Sequence, residues 1–228
     1  MLKANNRFDY LRIFDEQQEQ EANSHELETG QLNTFVLNRQ TDSSKNLIYL
    51  SQKGRVFGIR RFKAADEKLI TDFLSRLLPV TLRNRYLSPI PRLEDAHLAA
   101  EIKRILDAHG NDGTALLATI RYQGQEEVIG LAELLSDSAN RHEAEVALVV
   151  RDDYQGESIG YRLSQQLLQL AVSEGISLLR GVMNAENRVV LRLFNNMGLP
   201  GKMQVRSGTA TLLVDISKLH NNEHEPEF

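Results

Sequence analysis

A mixed α/β fold, a single sheet with helices packed against it, is predicted by three features of this 228-residue sequence. Residues 144–150 are apolar at every position except Glu145, as a strand buried on both faces requires. That run passes through a short loop of small residues into an amphipathic stretch over 159–174, with Leu163, Leu167, Leu170 and Ala171 along one side. Two β-rich runs, 114–122 and 127–134, flank the turn Gln123-Gly124-Gln125-Glu126 and read as a hairpin.

The remaining elements follow in order. A strand is expected over 56–60. A helix over 66–78 carries Leu69, Phe73, Leu77 and Leu78 near helical spacing, and Pro79 is expected to close it because proline lacks the backbone donor. A loop containing Arg83, Asn84, Arg85, Tyr86 and Pro91 leads to a second helix over 93–108, punctuated by Gly110 and Gly113. After the hairpin, a polar loop over 136–143 precedes the core strand. Gly175 stops the helix at 159–174, a strand spans 177–183, and Gly198 ends a helix over 186–197. Runs at 202–206 and 209–216 form a last hairpin about Ser207-Gly208. The predicted order is β-α-α-β-β-β-α-β-α-β-β.

Residues 1–54 differ in character and read as an extension before a main domain at 55–217 and a polar tail at 218–228. Residues 15–28 are rich in Glu, Gln, Asn and Ser and bury too little apolar surface to offset ordering, so a solvated helix or a mobile segment is expected. A short helix is expected over 8–14. Strand-like runs at 33–38 and 46–50 suggest either a hairpin added to the main sheet or a homodimer surface. An extension without a chemical role is the plainer alternative.

Composition removes several function classes. A net charge of −4 argues against a dedicated nucleic-acid binder. The absence of cysteine excludes disulfide scaffolds, thiolate zinc sites and cysteine nucleophiles. No apolar run approaches the roughly 20 residues of a membrane span, and the N-terminus lacks a signal-peptide core. A cytoplasmic location, without membrane attachment, is therefore the expectation.

The chemistry concentrates between Val150 and Gly160. A strand enters a helix through Arg151-Asp152-Asp153-Tyr154-Gln155-Gly156-Glu157-Ser158-Ile159-Gly160, where unpaired N–H groups and small side chains can receive an anion such as a phosphate. Small residues at this point also serve simply to make a tight turn. One strand earlier in the chain's path to that loop, Glu145 is the lone carboxylate of an apolar strand. Burial raises a carboxyl pKa and suits a general base near neutral pH; pairing with a neighbouring arginine is the structural alternative. Glu133, on the adjoining hairpin strand, is a second candidate base or water-holder. His142 and Glu143 read as surface loop residues.

Gln155-Gly156-Glu157-Ser158-Ile159-Gly160 resembles the pyrophosphate-binding motif Gln/Arg-x-x-Gly-x-Gly/Ala of the GNAT acyltransferase superfamily. The resemblance extends over about 55–217 and departs from the motif at Ser158, where glycine is usual. Within the superfamily, Ala144-Glu145-Val146-Ala147-Leu148-Val149-Val150-Arg151-Asp152-Asp153-Tyr154-Gln155-Gly156 is most similar to bacterial Pat-type protein lysine acetyltransferases. The resemblance implies a mostly antiparallel mixed sheet and acetyl-CoA as co-substrate, with no metal. It implies Glu145 as the catalytic base and places cofactor contacts at Leu148, Val149, Val150, Gln155, Gly156, Glu157, Ser158, Ile159, Gly160 and Asn187. A backbone N–H in the Leu148 to Val150 region would receive the thioester oxygen. Asn187 has a helix-start role as its alternative. The tyrosine that often protonates the leaving thiolate corresponds to Phe194, a departure shared with Pat-type enzymes; Tyr154 or solvent would then donate. Arg83, Asn84, Arg85 and Tyr86 fall on the acceptor side. A protein lysine is the implied acceptor, a small amine is the second reading, and a degenerate CoA-binding regulatory module, motivated by Ser158 and Phe194, is the third.

Overall fold

The computed structural model describes residues 24–26, 47–109, 114–136 and 140–221. The expected helix over 8–14 and strand over 33–38 lie outside them. Among the described residues, nine strands form one sheet: β1 (Ser24–Glu26), β2 (Leu47–Leu50), β3 (Val56–Arg61), β4 (Ala115–Tyr122), β5 (Gln125–Ser136), β6 (Glu143–Val150), β7 (Leu178–Asn184), β8 (Gly201–Arg206) and β9 (Thr209–Asp215). The helices are α1 (Glu67–Ser75), α2 (Pro79–Tyr86), α3 (Asp95–His109), α4 (Ile159–Ser173), α5 (Arg188–Met197) and α6 (Ser217–Asn221). The spatial order is β1-β8-β9-β7-β6-β5-β4-β3-β2. Every neighbouring pair is antiparallel except β6 and β7. The mixed, mostly antiparallel sheet is the one expected.

Three local expectations change. Pro79 does not end the helical region but opens α2, after a break at Arg76 to Leu78. Proline at the first helical position gives up an N–H that has no intrahelical partner there, so it starts a helix as readily as it stops one. Arg83, Asn84, Arg85 and Tyr86 are consequently helical rather than a loop. Ser24–Glu26, within the stretch read as solvated helix or mobile, pairs with β8 as an edge strand. Ladder hydrogen bonds use backbone groups only, so an apolar-poor segment can still add to an open edge. The polar tail begins inside the short helix α6.

Alternation along the strands splits the core into two layers. On one face, Ala115, Leu117, Val128, Leu131 and Val149 meet Ile70, Phe73, Leu74, Leu82 and Ile105 from α1, α2 and α3. On the other, Leu116, Ala118, Ile129 and Ala132 meet Ile159, Leu163, Leu167 and Ala171 of α4. Gly130 permits that approach, since a Cβ there would stand 2.8 Å from Leu163 Cδ1. Helix α2 rests over β6 and β7, which positions it above the feature described next.

Candidate active site

Strands β6 and β7 run parallel but stay together only briefly. Their pairing covers Glu143↔Leu178, Ala144↔Leu179, Glu145↔Arg180 and Val146↔Gly181, then ends. Beyond Val146 no strand pairs with that edge of β6 among the described residues. Strand β6 continues to Val150, held on its other side by β5. The N–H of Arg151 donates to the carbonyl of Ile129, which fixes the alternation: Val149 and Ala147 spend their backbone groups on β5, while Leu148 and Val150 direct theirs into the gap. Of the three strand residues expected at the cofactor, Val149 is thus a core and ladder residue, and Leu148 and Val150 line the opening.

The loop at the open end is held from within. The Gln155 side-chain amide donates to the Val150 carbonyl at 2.9 Å and to Thr81 Oγ1 at 3.0 Å. Thr81 in turn donates to Asp152 at 2.6 Å, and the other Asp152 oxygen accepts the Leu78 N–H at 2.9 Å. Gly156 and Ser158 both have left-handed backbones, φ 73° and 66°. Left-handed residues alternating with ordinary ones turn successive N–H groups toward a common point and make an anion-binding concavity. The N–H groups of Gly156, Glu157, Ser158, Ile159 and Gly160 make no hydrogen bond among the described residues. Glycine is the usual residue at position 158 of the motif because φ is positive there; serine occupies the same conformation at a cost of about 1 kcal/mol. Gly160 leaves the first turn of α4 lying against Val150 and Leu148, where a Cβ would be in ordinary contact at 3.6 and 3.7 Å. The residues present therefore suit a diphosphate at the loop and an extended chain along the β6 edge.

Glu145 is fully buried and lies on the sheet face covered by α1, α2 and α3, in step with Ala147 and Val149. It stands just inside the apex where β6 and β7 part. Arg180, its register partner on β7, is 3.4 Å from Glu143, which makes Glu143 a half-buried strand residue rather than a loop residue. His142 is exposed, with Nδ1 3.3 Å from the Gly175 carbonyl oxygen.

Glu133 has a different fate. It is buried within an ion cluster with Arg85 at 2.6 Å, Arg104 at 2.8 Å and His109 Nε2 at 3.2 Å. Glu101 joins both arginines, and Thr114 contacts His109 Nδ1 at 2.7 Å. Burial alone would raise the Glu133 carboxyl, but the Arg85, His109 and Arg104 partners overcome it and hold the group well below the usual carboxylate range. A carboxylate so stabilised is a poor proton acceptor, so Glu133 is removed from the candidate bases. Its cluster ties α2 and α3 to β5.

Three further residues have structural work. Asn187 caps α5, its Oδ1 accepting the Val190 N–H at 3.3 Å, which is the helix-start role. Phe194 is buried against Gly201, where a Cβ would come within 2.6 Å of its ring. The guanidinium groups of Arg55 and Arg151 both lie over the Tyr154 ring, 4.5 and 4.7 Å from its centroid. Thr81, Ser51 and Arg55 were not singled out in the sequence, and the contacts of Asp152 were not foreseen. Only Asp152 carried a signal, as part of the motif-like Arg151-Asp152-Asp153 run.

Comparison with known proteins agrees with this geometry. Residues 80–199 match the model of the acetyltransferase (GNAT) family. The curated acetyltransferase PA5475 of Pseudomonas aeruginosa is 24% identical over 159 residues, covering 70% of this chain and 83% of that protein. Among solved structures, the GNAT domain of S. lividans PAT aligns with a TM-score of 0.62 and 21% identity, covering 75% of this chain and 97% of that one. The protein yncA from Salmonella typhimurium, solved with acetyl-CoA, aligns with a TM-score of 0.50 and 19% identity over 75% of this chain and 98% of that one. The chain belongs to the GNAT acetyltransferase family. It is an N-acetyltransferase that uses acetyl-CoA. No helix of the described residues is long and apolar enough to cross a membrane.

Proposed function

We propose that the protein transfers the acetyl group of acetyl-CoA to a lysine amine of another protein, with Glu145 as general base. The observation that carries this reading is the position of Glu145, a buried carboxylate beneath α2 at the apex of the β6–β7 opening. The likeness of residues 144–156 to Pat-type enzymes supports lysine as the acceptor.

Acetyl-CoA supplies an activated acyl thioester. The left-handed loop at Gly156 and Ser158 receives its diphosphate, and the Leu148 and Val150 backbone edge holds the chain that carries the thioester. A lysine amine, with an ordinary pKa of about 10.4, arrives protonated and must lose that proton to attack. Glu145 takes it, directly or through one water. The N–H groups of Leu148 and Val150 face the opening and are the donors placed for charge developing on the thioester oxygen. As the amine forms its amide bond the carbon–sulfur bond breaks, and the thiolate takes its proton from solvent. Phe194 has no proton to give, and Tyr154 is buried with its ring packed against the Arg55 and Arg151 guanidinium groups.

The acceptor class is tested by offering purified protein with [14C]acetyl-CoA a panel of lysine-bearing proteins beside free polyamines, amino acids and aminoglycosides. Label on protein lysines at rates well above the small amines is expected. Preferential labelling of a small amine would replace lysine by that acceptor, and acetyl-CoA binding without transfer to anything would favour a regulatory module.

A further inference from the structure

Glu157 lies between the two left-handed residues of the loop, yet its carboxylate is fully buried and is bonded to Ser51. It points to the turn joining β2 and β3. Ser51 Oγ donates to it at 2.7 Å, and Arg55 and Lys53 stand 3.0 and 3.4 Å away. The backbone is joined as well, with the Gln52 N–H donating to the Glu157 carbonyl at 3.3 Å. The turn is itself braced, since Ser51 Oγ accepts the N–H groups of Lys53 and Arg55. Arg55 also covers the ring of Tyr154, three residues before Glu157.

A carboxylate taken out of water is retained at the expense of desolvation and is stable only with several partners in good geometry. Here the partners come from the strand turn that precedes the main sheet and reach one residue of the loop. Fixing Glu157 through both carbonyl and side chain fixes the peptide planes shared with Gly156 and Ser158. That matters because Ser158, unlike glycine, does not favour a positive φ.

We propose that Glu157 is a positioning residue for the acyl-CoA diphosphate, clamped by the β2–β3 turn so that the Gly156–Ser158 loop keeps its left-handed form. The proposal rests on the reading of that loop as the diphosphate site. It also gives part of the N-terminal extension a role in donor binding. Charge alone would act in the opposite direction: removing Glu157 frees two cations beside the loop and would tighten an anion held only by electrostatics. The two accounts therefore differ in sign.

The test is calorimetric titration of the full chain with acetyl-CoA, and a ligand-detected NMR titration with S-acetylpantetheine, which lacks the diphosphate. Glu157→Ala is expected to weaken acetyl-CoA binding roughly tenfold while leaving S-acetylpantetheine unchanged. Ser51→Ala, which changes no charge, is expected to weaken acetyl-CoA binding by about threefold, and it decides the matter if circular dichroism shows Glu157→Ala unfolded. Adding Ser158→Gly to Glu157→Ala should recover part of the loss. Acetyl-CoA affinity that is unchanged or tighter in the single variants overturns the positioning role alone. Equal weakening of both ligands overturns it in favour of general loosening. A wild-type protein that does not bind acetyl-CoA overturns the reading of the loop itself.

Discussion

Glu133 and Glu145 occupy the same face of the sheet on adjacent strands, two positions apart along the ladder, and both are buried. Glu133 is gripped by two arginines and a histidine that fasten α2 and α3 to β5. Glu145 is followed on β6 by apolar residues alone, near the point where the sheet opens. The pair shows that burial alone does not make a base. Burial raises a carboxyl pKa, but a cation at hydrogen-bond distance reverses the sign, and the Glu133 carboxyl is driven down. Glu133 fastens α2 and α3 to β5, whereas the base role is proposed for Glu145.

The sharpest way to break this contrast is to neutralise each carboxylate in turn. Glu145→Gln is expected to lower kcat by about 10²- to 10⁴-fold with acetyl-CoA affinity retained. Wild-type turnover in that variant would end the base assignment. Glu133→Ala is expected to cost about 3–5 kcal/mol of stability in urea titrations, because it strips a buried cluster of its central anion. Unchanged unfolding midpoints would mean the cluster is ornamental. Acid should expose the same difference. Burial opposes ionisation of Glu101, but Arg104 and Arg85 bring its carboxyl down to about 2 from an ordinary 4.5, and Glu133 is also held low. Their stabilisation is complete above about pH 4.5 and is lost as pH falls toward 2. Urea midpoints should drop across that interval, and less steeply in Glu133→Gln; equal slopes would count against the cluster. The smallest effect is expected at the loop, where Ser158→Gly should raise stability by up to about 1 kcal/mol by removing a left-handed serine. A loss of stability there would mean the serine has a role that its backbone does not reveal.

Sequence periodicity found the core of this molecule well, for local reasons. The residues of β6 and α4 announce themselves through an unbroken apolar run and a 3.6-residue stripe, and Gly124, Gly175, Gly198 and Gly208 mark real turns with positive φ. Pro79 misled because the same missing N–H suits a helix start as well as a stop, and only packing over β6 and β7 decides between them. The motif at Gln155 to Gly160 was legible because the backbone requirement is written in small residues. The partners of its side chains were not. Glu157 meets Ser51 across 106 positions, and Gln155 meets Thr81 across 74, separations at which no spacing rule operates. Glu133 looked like a base for the same reason: its arginines come from helices far off in the chain.

The early end of the β6–β7 ladder has a consequence for selectivity. An exposed strand edge recognises amide groups by their spacing and ignores whatever is attached beyond them. If the donor lies along Leu148 and Val150, that edge measures the carrier and is indifferent to its cargo. Val146, the last β6 residue paired with β7, and Ala147, the first beyond it, turn to opposite faces of the sheet where that edge begins. On that arrangement, acyl-length selectivity is decided elsewhere than by the edge itself.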